Sequence, residues 1–290
     1  MTAVLKITSA MIIWGSLGVF VRHIHLPSLE AAFYRAVIAT LVLSLVFIII
    51  KNKNLQSIRK NLPILALSGI AIGFNWIMLF QAYRYTTISN ATLTYYLAPV
   101  LIVLISPIVL KEKLSVTKIL SVFGGMAGLF LILSQQANHA NTMYNHSLGI
   151  TYGLIAAVFY AGIVLLNKRM KDIDGFQMTF VQLATAALVL LPVVAARNNF
   201  QMAQGDIKYV LILGVVHTGL AYLLYFSGLK DMKAQNAALL SYLDPISAVL
   251  FSTLLLNEPM GLWQAVGGLL ILGSAVFGTR EPKQEVVTTG

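Results

Sequence analysis

Ten separate apolar runs, each long enough to cross a bilayer, dominate this chain. They lie at Leu5–Val21, Ala31–Ile50, Leu62–Tyr83, Ile88–Leu110, Lys118–Ser134, Ser147–Leu166, Phe176–Ala196, Ile207–Gly228, Ala234–Leu256 and Gly261–Thr279. In hydrocarbon every backbone polar group must be satisfied within the structure, and at this length an α-helix does so within one segment. The spacing therefore predicts an all-α integral membrane protein with ten transmembrane helices. At roughly 20 residues each, the spans use most of the 290 residues and leave no room for a soluble domain. Charge agrees: only 10% of residues are charged, against about 25% in soluble domains. Without a cysteine, the chain has no disulfide, thiolate metal site or cysteine nucleophile. Lys6 is the only charge at the N-terminal end of the first run, with no small-residue cleavage site, so the sequence reads as an uncleaved first span.

Lysine and arginine set the expected orientation. With the N-terminus in the cytoplasm, fifteen of them fall on cytoplasmic segments, among them Lys51, Lys53, Arg59, Lys60, Lys111, Lys113 and Lys168. Four fall outside (Arg22, Arg84, Arg197, Lys208), and Arg35 lies within a span. This positive-inside bias predicts that both termini are cytoplasmic. The net charge of +10 thus reflects topology and does not call for nucleic acid. The polar stretch Gln135–Ser147, without Lys or Arg, reads as an outer connection between five spans and five spans.

The two halves repeat. A shift of 146 residues lays Gly219–Glu258 on Gly73–Glu112 without a gap, with identities that include Asn90, Ala91, Tyr96, Leu97, Pro99, Ser106 and Glu112. Because five is odd, the copies are expected to have opposite orientation, an arrangement found in transporters with a solute site near the midplane. The expected organisation is a first repeat at 1–137, an outer linker at 138–146, a second repeat at 147–280 and a cytoplasmic tail at 281–290.

These residues resemble the drug/metabolite transporter superfamily in its EamA branch. The resemblance rests on Trp14-Gly15, on Phe33-Tyr34-Arg35 and on the twin segments Asn90–Glu112 and Asn236–Glu258, each with a Pro in the span and a Glu after it. It implies an inverted 5+5 bundle in a bacterial plasma membrane that exports metabolites or amino acids, often coupled to protons.

Asp244 is the most informative residue. It lies about 8 residues, or ~12 Å, into the ninth span, where an acid costs roughly 2.5–3.5 kcal/mol on insertion scales. Desolvation favours its neutral form, which suits a proton carrier. Ala237, Ser241 and Ala248 share its face at helical spacing, and its counterpart in the first half is Ala98. The alternative is an acid held protonated by a neighbouring helix. Arg35, facing inward, can hold a substrate carboxylate in bidentate fashion; otherwise it snorkels to the interface.

Pro99 and Pro245 are expected to kink matching spans and free the carbonyls of Tyr95 and Ser241, beside the paired Tyr96 and Tyr242. Broken helices of this kind line cavities in transporters, although such prolines also serve as ordinary kinks. Asn75, Trp76, Gln81, Tyr222 and Tyr225, with Trp14 and Tyr160, can form an aromatic pocket, while many such rings serve only as packing or interface anchors. His217, mid-span, is a candidate proton relay to Asp244. Glu112 and Glu258 are expected to cap the next helix or pair with a nearby cation. Gly124–Gly128 and Ser274–Gly278 permit close helix packing, within the chain or in a homodimer.

No GxxxxGK[ST], HExxH or GxSxG motif occurs, so neither ATP hydrolysis nor an intramembrane enzyme is expected, and no cofactor or metal is implied. The reading is a secondary transporter moving small solutes across the plasma membrane. A non-transporting scaffold or sensor is the alternative, and it leaves Asp244 and Arg35 without a purpose.

Overall fold

The computed structural model describes residues 1–21, 23–49, 55–86, 88–134, 145–197, 202–256 and 260–279. Among these residues every regular element is helical. Ten helical spans are long and apolar enough to cross a membrane: Ala3–Val21, Ser28–Ile49, Leu55–Tyr85, Asn90–Leu110, Val116–Ser134, His146–Arg169, Gly175–Ala196, Gln204–Lys230, Ala234–Leu256 and Leu262–Thr279. Side-chain caps start several of them. Thr2, Asn145 and Asp174 each accept a backbone N–H three residues on, from Leu5, Leu148 and Gln177.

The helices turn large apolar side chains outward. Ile108 is 82% exposed, Ile49 78% and Leu262 75%. A water-facing surface with so many of these would aggregate, whereas hydrocarbon solvates them. Small residues concentrate where helices meet. The fifth and tenth spans pack together, with Gly124 against Ser274, Gly128 against the Gly267 carbonyl and Gly278 against Ser121. The small-residue spacings expected from the sequence are thus occupied inside the chain. Other main pairings join the third span to the sixth and seventh, and the first to the eighth and ninth.

Four spans, the first, fourth, eighth and ninth, depart from a single regular helix, while the third is continuous but longer than expected. The first breaks at Ser16, between Ala3–Gly15 and Leu17–Val21. The third begins at Leu55, seven residues before the expected Leu62, and runs through Pro63. Its early turns hold because Ser57 and Asn61 donate to the carbonyls of Asp172 and Lys171 in the connection between the sixth and seventh spans. The fourth and ninth spans are broken, into Ile88–Tyr95 with Ala98–Leu110 and Ala234–Leu240 with Leu243–Leu256. Pro99 and Pro245 sit in the first turn of each second segment, where a missing N–H costs least. The eighth contains a π-helix, Leu213–Leu220, in which Thr218 donates to the carbonyl of Leu213 at 2.9 Å. Nothing in the sequence pattern predicts it.

Two local expectations are corrected. The carbonyl of Ser241, expected to be freed by Pro245, accepts the N–H of Asp244 at 3.3 Å, because the break tightens the chain into a turn. Glu112, expected to cap the next helix or pair with a cation, instead caps the start of the ninth span, through Ala234 N at 2.7 Å and Gln235 N at 3.2 Å. The expectations for Glu258, the 135–144 connection and the 281–290 tail lie outside the described residues.

Candidate functional site

The breaks in the fourth and ninth spans meet in the middle of the bundle. Tyr96, at one break, donates its hydroxyl to Asp244 Oδ2 at 2.5 Å. Tyr242, at the other, donates to the carbonyl of Tyr96 at 3.3 Å, and the two rings stack with centroids 6.1 Å apart. The ladder of backbone bonds is interrupted in both helices, and side chains of the opposite segment fasten the loose turns together.

Beside this junction lies a cavity of about 550 Å³. It extends from Met11, Ile163, Phe226 and Ser241 towards the bundle end where Val19, Tyr83, Leu133 and Leu256 lie. Its walls are largely aromatic, built from Trp14, Trp76, Tyr95, Tyr96, Tyr160, Tyr222 and Tyr225. Trp14 meets Tyr222 edge-on at 5.0 Å and Tyr225 at 5.3 Å, and its indole N–H donates to the carbonyl of His217 at 2.8 Å. That bond fixes the first span against the π-helix.

Two charged side chains reach the cavity. Arg35 lies with its guanidinium carbon 4.4 Å from the Trp76 ring centre, a cation–π contact. Its Nε is buried without a hydrogen-bond partner. Asp244 lines the cavity from the ninth span. Among the described residues no ion pair joins the two. A hydroxyl cluster completes the wall near Asp244: Tyr160 lies 2.8 Å from Tyr225 and 3.1 Å from Ser241, oxygen to oxygen, and Ser241 donates to the carbonyl of Ala237 at 3.0 Å.

Of the residues expected at a site, Trp14, Arg35, Asn75, Trp76, Tyr95, Tyr96, Tyr160, Ser241, Asp244 and Pro245 line this cavity. Gln81, Tyr242, His217 and Pro99 are not among its lining residues. Tyr242 is buried against Gly125, where a side chain would collide with its ring. Ala237, fully buried, drops from the face of Asp244 because the helix breaks between them, while Ala248 stays on it. His217 points its Nε2 to Ser16 Oγ at 3.0 Å, and its ring meets that of Phe20 in a T-shaped contact with centroids 4.9 Å apart. Ser16 Oγ also lies within hydrogen-bond reach of the carbonyl of Ile13, at 2.7 Å. Nδ1 is buried without a partner.

Sequence reading overlooked Tyr83 and Thr92, both of which line the cavity. A signal was available: Tyr83 follows Asn75 and Leu79 at intervals of four, and Thr92 precedes Tyr95 and Tyr96 by three and four, so each shares a helical face with a residue already singled out.

The opposite end of the bundle, rich in lysine, is closed. Besides the Glu112 cap, Gln235 Nε2 donates to Ser106 Oγ at 2.8 Å, and Lys118 donates to Asn236. All three contacts join residues 106–118 to residues 234–236. Lys168 adds a cap of its own, donating to the carbonyls of Leu229, Lys230 and Met232 at the end of the eighth span.

A bundle of ten spans around a central cavity, with broken helices meeting at its wall and unpaired charges inside, has the architecture of a membrane solute carrier. The EamA-like transporter family matches residues 1–134 and 147–279. The chain belongs to that family, and so to the drug/metabolite transporter superfamily, and is a multi-pass membrane protein. It is 30% identical over 292 residues to the uncharacterized transporter YxxF of Bacillus subtilis, covering 100% of this chain and 94% of that protein. The uncharacterized inner membrane transporter YicL of Salmonella typhimurium is 24% identical, over 94% of this chain and 93% of its own. Protein PecM of Dickeya dadantii is 26% identical, over 91% and 88% respectively. A solved crystal structure shares the fold, with a TM-score of 0.85 at 22% identity over 96% of each chain.

Proposed function

We propose that this protein is a secondary transporter that exports a small amphipathic solute bearing a carboxylate, an amino acid or a close relative, across the plasma membrane. On this reading it is a carrier and not an enzyme. It works by alternating access between two five-helix repeats of opposite orientation, with both termini and the lysine-rich face in the cytoplasm. The single observation that carries the reading is Arg35, whose guanidinium lies inside the cavity wall with Nε buried and unpartnered. A cation left unpaired in a low-dielectric interior is costly. A bound carboxylate repays that cost with two parallel charge-assisted bonds. The aromatic walls favour an apolar body on the same solute.

Proton coupling is assigned to Asp244. It is an acid midway along the ninth span with one oxygen held by Tyr96, at the junction of the broken fourth and ninth spans. Gain or loss of its proton alters the bond between the breaks, so one event reaches the ligand cavity and both hinges together.

The test is flux in proteoliposomes, with a panel of amino acids and organic acids, with and without a pH gradient. Saturable transport that is lost in Arg35→Ala, with folded protein retained, supports the reading. Absence of flux across the panel from folded protein refutes it and favours a membrane scaffold or sensor.

A further inference from the structure

The first span is pinned along its stem and loosely held at its tip. In the stem, Ala3–Gly15, Trp14 donates its indole N–H to the carbonyl of His217 at 2.8 Å. Gly15 lies so close to the ninth span that a Cβ there would collide with Ser247 Cβ and stand 2.9 Å from the carbonyl oxygen of Asp244. The helix then breaks at Ser16, whose backbone N–H is shared between the carbonyls of Ile12 and Ile13, each at 3.2 Å. Beyond the break, none of the five residues of Leu17–Val21 is buried. A Cβ added at Gly18 would meet nothing within 4 Å. Contacts this sparse mark the parts of a structure that open at least cost.

His217 reaches this tip twice. Its Nε2 lies 3.0 Å from Ser16 Oγ, at the break, and its ring meets that of Phe20 within the tip. The histidine is almost fully buried inside the π-helix Leu213–Leu220, a helix form that recurs at functional sites. Leu17, Gly18 and Val19 line the cavity, and Gly18 is exposed as well, so the tip forms one lip of the open end. The third span supplies another lip through Leu79, Phe80 and Tyr83. That span is continuous from Leu55 to Tyr85 and is tied to the sixth, where Asn75 Nδ2 donates to the carbonyl of Ala156 at 2.7 Å and Ser68 Oγ to Asn167 Oδ1 at 2.9 Å. One lip is therefore firm and the other is held at a single residue's side chain and a helix face.

We infer that Leu17–Val21 is a gate at the open end of the cavity, hinged at Ser16, and that His217 latches it open. The inference rests on the proposed carrier function, in which one end must be shut before the other opens. With the latch released, the tip turns about Ser16 towards the third span and covers the cavity. The stem keeps its hold on the eighth and ninth spans, through Trp14 and Gly15, so the turn needs no movement of the whole bundle. His217, which does not line the cavity, thus acts on access to it through Ser16.

The test is the distance distribution between spin labels attached at Val21→Cys and Arg84→Cys, in the full chain in lipid nanodiscs. Both positions are exposed, and no native cysteine competes for the label. Loss of the latch should lower the ratio of long to short separations about fivefold, in Ser16→Ala and in His217→Leu, as expected for one side-chain hydrogen bond. The double variant should fall no further than His217→Leu alone, because both substitutions remove the same contact. A second labelled pair at the lysine-rich end, Lys113→Cys with Lys233→Cys, should keep its separation. An unchanged ratio in Ser16→Ala overturns the inference, and this variant decides it if His217→Leu does not fold. A higher ratio, or additive effects in the double variant, also overturns it. A lysine-rich pair that moves apart in step overturns it too, since the whole bundle has then switched. The expected distances from protein that carries no solute would reject the carrier reading and leave the gate standing.

Discussion

Replacing Glu112 with alanine should open the lysine-rich end of the protein. In the closed arrangement the Glu112 carboxylate satisfies two backbone N–H groups at the start of the ninth span, at 2.7 and 3.2 Å. When that end opens, water takes over both groups, so the cap contributes chiefly to the closed state. A carboxylate on two helix-terminal donors is worth about 1–2 kcal/mol once half-exposure is allowed for. Its loss should raise the population open at that end about tenfold. The absence of cysteine from the chain makes the assay direct. Ser106, fully buried at the closed end, is changed to cysteine, and its reaction with an impermeant maleimide applied from the lysine-rich side is timed with and without Glu112→Ala. Both rates share the Ser106→Cys background, so the loss of its own bond to Gln235 cancels. A rate about ten times higher is expected with Glu112→Ala. An unchanged rate in protein of unaltered thermal stability would show that the cap does not contribute to closure.

Three further outcomes follow from the cavity and the helix contacts. Arg35→Lys keeps the charge but loses the planar fork held over Trp76, so KM for a carboxylate solute should rise about tenfold with little change in kcat; equal KM values would count against bidentate binding. Asp244→Asn should abolish the response of flux to a pH gradient while folded, inserted protein persists, and a normal response would remove Asp244 from coupling. Gly128→Val places a side chain against the Gly267 carbonyl, where only backbone can yield. It should destabilise the chain by about 1–3 kcal/mol, read as a lowered Tm in detergent, and an unchanged Tm would mean the fifth and tenth spans are not tightly apposed.

The ten spans were legible from the sequence because lipid imposes a local rule: each crossing must be one long apolar run that closes its own hydrogen bonds. Asp244 and Arg35 stood out for the same reason, as charges inside such runs, and Pro99 and Pro245 marked two of the broken helices through a missing N–H. None of these features depends on a distant partner. Tertiary structure decided everything that does. It turned His217 to Ser16 and buried Tyr242 against Gly125, since the inward face of a span is set by neighbours far away in the chain. The same is true of Glu112, which ends the fourth span yet caps the ninth, and of the hydroxyls of Tyr160, Tyr225 and Ser241, brought together from three spans. A run of apolar letters records that a helix is in lipid; only the packing of helices against one another selects which of its side chains meet.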